Sequence, residues 1–302
     1  MRRTLYILLR NPLSLLGLGL VFLVVFSAVF ADFIAPFPHH RGAVVDFANF
    51  NRAPEWPYIF GTDLVGRDIF SRILYAFRLS LFLGVVVLAI AVPIGVTIGL
   101  AAGYLGGWTE YLLMRLTDVF LSIPPLVLAM SIMGVLEPTL TNGMLAVTAM
   151  WWPWYTRLVY NITRSEKEEG YVLAAEIIGA SKLHVIFREI LPNCVPSILT
   201  KMTLDLGFVI LIASSLSFLG LGVQPPATSW GLDVSTGKDY IFVAWWLVTF
   251  PGLCIVATVL SINLVANWVR VTTDPQEREK RYARGLATRS GAGPVLAGVP
   301  GR

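Results

Sequence analysis

Few residues in this chain have the types and spacing that chemistry requires. Lys201 and Asp205 stand four apart inside an apolar run. A helix there would let them pair, which lowers the cost of burying either. A proton relay needs more titratable groups deeper in the run, and none follows, so the pair reads as structural or gating. Lys201 lies within about two turns of the end of the run at 1.5 Å per residue, near enough to extend its ammonium toward water. His39 and His40 are adjacent, so their rings diverge on most backbones, and no third ligand follows at zinc spacing. Residues 231–238, GLDVSTGK, imitate a phosphate loop, but the spacing is one residue too long and Asp239 replaces the required Ser or Thr. Cys194 and Cys254, the only cysteines, each lie at or within an apolar run, which favours packing over a disulfide framework. A membrane-embedded hydrolase would need a nucleophile and base within the runs, yet His39, His40 and His184 all lie outside them. The expectation is a chain that is not an enzyme and holds no metal or cofactor of its own.

The polar complexity is concentrated in one stretch, residues 164–192, RSEKEEGYVLAAEIIGASKLHVIFREILP. Its pattern reads helix, glycine, helix, proline. Glu166 to Ile178 suits a first helix, with Tyr171, Val172, Ala175 and Ile178 along one stripe. Gly179 stands where a helix-ending left-handed residue belongs. Ser181 can cap a second helix carrying Leu183, Ile186, Phe187 and Ile190, which Pro192 should stop. Ala174 and Ala175 are small enough to let a partner approach the backbone. A loop with this much regular structure is built to be gripped.

The elements that position this stretch follow from composition. The 302 residues are 56% hydrophobic and 14% charged, which excludes an ordinary soluble domain. Windows 11–31, 79–109, 119–136, 138–156, 206–232 and 240–269 carry no charge, and each reaches the roughly 18 residues a bilayer-crossing helix needs. The expected fold is an all-α membrane protein of six transmembrane helices, with a cytoplasmic helical hairpin between helices four and five. With the N-terminus inside, 16 basic residues fall on the inner side and six on the outer, with Lys201 left within a span. That excess places both termini and residues 164–192 in the cytoplasm. Arg2 and Arg3 before the first run imitate a signal peptide, but the run is too long and lacks a cleavage site, so an uncleaved helix is expected. Residues 1–78 then form a first helix and an external loop, residues 79–272 a core of five helices, and residues 273–302 a disordered tail.

Within this plan, residues 60–80 read as an amphipathic helix on the outer interface, with Asp68 and Arg72 supporting it at i, i+4. Helix two starts at Leu79 and carries Gly84, Gly95, Gly99 and Gly103, spaced for close helix contact. Arg115 and Asp118 read as a local pair at i, i+3. Pro124-Pro125 breaks helix three at a depth where exposed backbone must face protein or a wet cavity, which makes it a candidate for lining a pathway. The aromatics of residues 151–155 around Pro153 favour packing over substrate stacking. Trp245, Trp246 and Trp268 flank helix six as an aromatic belt would. The stretch from Asp32 to Pro57 has no periodicity that decides its structure.

Three stretches of the chain carry a family resemblance. Ala174-Ala175, then Gly179, then Leu191-Pro192 resemble the EAA loop of bacterial ABC-importer permeases, with Leu173 replacing the naming glutamate. Gly179-Ala180-Ser181 through Ile190-Leu191-Pro192-Asn193 is similar to the dipeptide/oligopeptide/nickel permeases in particular, of the second-subunit type. Gly61-Thr62-Asp63 with Gly66-Arg67-Asp68 and Ser71-Arg72, and Ser217 to Pro226 with Ser229-Trp230-Gly231, match signatures of the same family. The resemblance implies that Ala174, Ala175, Gly179, Ala180, Ser181, Leu191 and Pro192 dock on a cytoplasmic ATPase. It also makes Pro124, Pro125, Lys201 and Asp205 candidates for the pathway or its gate. The implied partners are a homologous second permease, two ATPase subunits that bind ATP and Mg, an extracytoplasmic solute-binding protein and membrane lipid, with no nucleic acid. Peptide and nickel import are not separated by these residues. A channel or secondary transporter would show inverted repeats or several mid-membrane charges, and neither is present.

Overall fold

Residues 12–273 are described by the structure, a computed structural model. Among them the regular elements are helices, joined by turns and loops, and the β pairing is two isolated bridges, Glu55–Tyr58 and Thr62–Asp68. The long elements are α1 (Pro12–Val29), α2 (Ile69–Leu105), α3 (Gly107–Ser122), α4 (Pro125–Met133) and α5 (Leu140–Glu166). They are followed by α6 (Gly170–Ile177), α7 (Lys182–Phe218), α8 (Trp230–Gly237) and α9 (Trp246–Thr273). The sequence-expected tail at 273–302 lies outside the described residues from 274 onward, as do the first eleven residues.

By length and composition, α2, α7 and α9 can each cross a bilayer, and α3 with α4 makes a fourth candidate bent by 89°. The apolar part of α1, Leu15–Val29, is shorter. α5 is 27 residues long, but its Trp, Tyr, Thr and Asn content keeps it from being uniformly apolar. Absence of charge, the criterion behind six windows, is thus weaker than hydrophobicity.

The core forms where small residues let helices meet. A Cβ on Gly95 would lie 2.5 Å from the Trp152 carbonyl oxygen, and one on Gly99 2.7 Å from that of Thr156. On Gly103 it would lie 2.7 Å from Thr163 Cβ. The glycine stripe of α2 is therefore the seat of α5, as its four-residue spacing predicts. Val87, Ala91, Val147, Tyr155 and Val159 fill this interface together with Cys194 and Val209 of α7. α1 packs on α9, where a Cβ on Gly17 would come within 2.5 Å of Leu264 Cβ.

The expected interfacial helix at 60–80 is corrected: α2 runs unbroken through positions 78 and 79. Its charges do not need an aqueous interface because each finds a partner. Arg72 is buried and donates to Asp233 at 2.6 Å, not to Asp68. Asp68 instead caps α2, accepting from the Ser71 N–H at 2.8 Å. Arg78 donates to the Ala28 carbonyl and to Asp32. The undecided stretch after Asp32 is ordered by similar bonds. The Thr62 hydroxyl donates to the Asn49 carbonyl and accepts from the Arg52 N–H. Trp246 Nε1 donates to the Thr62 carbonyl. Trp246 is thus a buried anchor of the external segment and not a belt residue, while Trp245 remains half exposed. His40 is buried, and its Nδ1 accepts from the Asp68 N–H at 2.8 Å. Burial, helped by adjacent His39, holds its pKa below the ordinary histidine value. Among the described residues no group of three metal-ligating side chains gathers around it.

Candidate functional site

The 164–192 segment is a hairpin made of α6 and the first turns of α7. Its first helix begins at Gly170 and not Glu166, because α5 continues through Glu166 and a turn follows. Gly179 has φ +84°, its N–H donates to Glu176, and the Ala180 N–H reaches back to Ala175. These two bonds form the glycine-closed helix end that the sequence predicts. Ser181 caps the next turn, accepting from the His184 N–H. Pro192, expected to stop the helix, does not. Residues Val185–Ile190 open into a π-helix, and the Leu191 N–H bonds back to Ile186, five positions away. The wider turn moves the carbonyl that the ring of Pro192 would otherwise strike, so α7 continues for 37 residues.

The hairpin divides its apolar residues between two faces. Val172, Ala175, Val185, Ile186 and Ile190 are buried in the main core. Ile177 and Ile178 are 85% exposed, Leu183 68% and Phe187 54%. Ile178, expected on one stripe with Val172 and Ala175, therefore points out while they are covered. Ala174 is exposed and Ala175 is covered by this chain, so Ala174 alone offers a close approach. Ala180 and Leu191 are half-buried, while Gly179, Ser181 and Pro192 are exposed.

Polar bonds fix the base of the hairpin. The Tyr104 hydroxyl donates to Glu176 Oε1 at 2.7 Å, and Lys167 Nζ donates to the Tyr104 carbonyl at 2.8 Å. The Tyr171 hydroxyl donates to Glu166 and accepts from Asn193 Nδ2. Burial, with the Glu166 bond, pushes the Tyr171 pKa up to about 12, so the phenol remains a donor at physiological pH. Sequence reasoning missed these ties. Only the choice of Tyr and Asn within an otherwise apolar or charged loop hinted at them.

A second cluster lies within the helices. Lys201 pairs with Asp205 at 3.1 Å, as its spacing predicts. Trp151 Nε1 adds a 2.9 Å bond to Asp205. Asp118 pairs with Arg157 of α5 and not with Arg115, whose guanidinium sits over the Tyr111 ring. Trp151, Trp152 and Tyr155 are buried, and Trp152 packs edge-on against Phe120, which bears out packing for these three. Trp154 is 44% exposed, with Lys201 Nζ 5.7 Å from its ring centre. Pro124-Pro125 ends one helix and starts the next. Ile123 and Pro124 have extended ψ angles of 130° and 129° at the break, and Pro124 is exposed.

Residues 95–279 match the family described as binding-protein-dependent transport system inner membrane component. Residues 1–54 match the N-terminal TM domain of oligopeptide transport permease C. The di/tripeptide transport system permease protein DppC of Pseudomonas aeruginosa is 37% identical over 88% of this chain and 89% of its own length. The dipeptide transport system permease protein DppC of Haemophilus influenzae is 35% identical over 89% of this chain and 92% of its own. A chain of the MetNI methionine ABC transporter, solved facing inward, aligns with a TM-score of 0.55. It covers 68% of this chain and 98% of its own at 16% identity, a likeness of fold alone. With the family match spanning more than half of the sequence and relatives above 30% identity along nearly all of it, the chain belongs to the binding-protein-dependent transport system inner membrane components, the permeases of ABC importers.

Proposed function

We propose that this chain is one of two homologous permease subunits of an ATP-driven peptide importer of the cytoplasmic membrane. α1, α2, the broken α3–α4 pair, α5, α7 and α9 make six crossings, with both termini and the 164–192 hairpin inside. The excess of basic residues on that side supports this orientation. Two cytoplasmic ATPase subunits bind ATP and Mg, and a solute-binding protein delivers cargo from outside. The names of the relatives, dipeptide and di/tripeptide permeases, support peptides as the cargo class.

One observation carries the coupling role. Ile177, Ile178, Leu183 and Phe187 form an exposed apolar rim around the Gly179 turn. On a polar hairpin such a rim marks a surface made for a protein partner. Its base is tied to α2 through Tyr104, which meets Glu176 and Lys167, and to α5 through Glu166, so a push on the rim reaches the helices. ATP can shift the pore only by changing how the ATPase contacts the hairpin in the inward and outward states. The Pro124-Pro125 break and the Lys201–Asp205 pair belong to the pathway and its gate.

The test is assembly and uptake. The double change Ile177→Asp/Ile178→Asp should leave membrane abundance unchanged and abolish co-purification of the ATPase subunits. Uptake of a labelled dipeptide into ATP-loaded vesicles bearing the whole assembly and its binding protein should stop with it. Undiminished co-purification would overturn the docking role.

A further inference from the structure

The paired charges of α3, α5 and α7 have a feature that ion pairing alone does not explain: three of the four side chains are open. The side chains of Arg157 and Asp118 are 42% and 43% exposed, and that of Lys201 is 27% exposed. Gly103 on Thr163 marks the end of the α2–α5 contact nearest the hairpin. From Thr163, Arg157 lies about 9 Å and Trp154 about 13 Å along α5, and Asp118 lies about 16 Å into α3 from Gly107. On the six-crossing topology proposed above, Trp154 and Lys201 lie deeper than the flank at Arg157, where an open ionised group is costly against hydrocarbon. The helix break at Ile123 and Pro124 follows just beyond Asp118, and an interrupted backbone at that place must face protein or water.

The chemistry of the strip is specific. Asp205 is buried and held by Trp151, and it fixes Lys201 Nζ through both oxygens at 3.1 and 3.2 Å. An ammonium has three donors, so at least one remains for the open side. Trp154 places a half-exposed apolar ring beside that ammonium. Asp118 and Arg157 supply the second balanced pair one turn along α5. Two neutralised pairs do not trap an ion as a lone charge would, yet each can share a bond with a passing charged end. Conduction requires such weak, multiple sites.

We propose that Asp118, Arg157, Trp154 and Lys201 form a hydrated strip on the translocation path that receives the charged ends of a zwitterionic cargo, with Lys201 meeting its carboxylate. This rests on the peptide-permease function above, and the test separates the two.

The experiment uses the complete transporter in proteoliposomes with Cys194→Ala and Cys254→Ala, and first records ATP-driven uptake of L-alanyl-L-alanine. Trp154→Cys is then exposed to a cationic, membrane-impermeant methanethiosulfonate, with labelling of this chain read by mass. Val256→Cys, on the exposed side of α9, is the reference. Labelling at Trp154→Cys should be at least about tenfold faster, because the thiolate forms only where water reaches it. L-alanyl-L-alanine should slow it and its C-terminal amide should not. The double change Lys201→Met/Asp205→Asn removes both charges and keeps an acceptor for Trp151. It should leave abundance unchanged and cut dipeptide import about tenfold. Labelling no faster than at Val256→Cys would overturn the hydrated strip, and equal protection by the amide would overturn the carboxylate contact. Failure of the unmodified transporter to import the dipeptide would count against the peptide cargo, with the labelling contrast still deciding hydration.

Discussion

The Tyr104 hydroxyl donates a 2.7 Å hydrogen bond to Glu176, joining the last turn of α2 to the hairpin helix α6. The same residue accepts from Lys167 Nζ through its carbonyl, and its ring lies 5.4 Å from that ammonium. One residue at the foot of α2 thus holds the first arm of the hairpin at two points. A hydrogen bond to a charged acceptor contributes about 1.5–3 kcal/mol, enough to keep the hairpin in register with α2. Tyr104→Phe removes that bond and leaves the ring in place. Membrane abundance should be unchanged, while ATPase activity of the assembled transporter rises relative to uptake. Measuring both in one proteoliposome preparation checks this, and an unaltered ratio would remove Tyr104 from the coupling path.

Gly179 separates backbone geometry from steric contact. Its φ is +84°, and a Cβ there would meet no atom within 4 Å. Substitution is therefore costly only through the left-handed backbone, about 1–2 kcal/mol for an ordinary residue and more for a β-branched one. Gly179→Val should insert normally and lose most uptake, because the turn that sets the angle between α6 and α7 opens. Gly179→Asn should retain most of it, since asparagine tolerates this conformation. Uptake normalised to membrane abundance for the pair distinguishes a required backbone shape from a requirement for smallness.

Gly99 presents the opposite case. Its backbone is ordinary α-helix, but a Cβ would lie 2.7 Å from the Thr156 carbonyl oxygen and 2.9 Å from Val159 Cβ. Neither neighbour can rotate away, so α2 and α5 must separate. Gly99→Leu should reduce the abundance of folded protein severely, since overpacking of a core costs about 1–3 kcal/mol and here the clash is with backbone. At Gly19 nothing lies within 4 Å, and Gly19→Ala should be close to neutral. Thermal aggregation midpoints of the detergent-solubilised variants compare them directly.

What could be read from the sequence was local. Gly179, Ser181 and the Pro124-Pro125 break each express a rule about one residue's own backbone, and each stands where the rule puts it. The glycine stripe of α2 was legible because a repeat of four defines a helix face. Partners far apart in sequence were not. Arg115–Asp118 and Asp68–Arg72 looked paired because they are helix neighbours, yet Asp118 bonds Arg157 and Arg72 bonds Asp233, 161 positions away. The same blindness produced the supposed interfacial helix. Arginines near a membrane suggest an aqueous interface, unless buried carboxylates from another loop already neutralise them. In the hairpin, the alternation of faces was visible but its sense was not, because only packing decides that Val172 and Ala175 turn inward and Ile178 outward.

His40 gives the external segment a measurable pH response. Burial, first, and the charge of His39, second, hold its pKa below the ordinary 6.5, and its Nδ1 must be unprotonated to accept from the Asp68 N–H. A base with a folded pKa below its unfolded value favours folding most above the unfolded value. Stability then falls as pH drops from about 6.5 through the folded pKa, because the unfolded chain takes up the proton first. The bond lies next to the cap of α2, where Asp68 accepts from Ser71, so protonation should loosen residues 38–68 from the helix start. Limited proteolysis of that segment in intact spheroplasts should be faster at pH 5.5 than at pH 7.5. His40→Asn places an amide oxygen near the position of Nδ1 and carries no titratable group, so its cleavage rate should be the same at both values. A variant that keeps the full pH dependence would show that another group, and not His40, controls the opening.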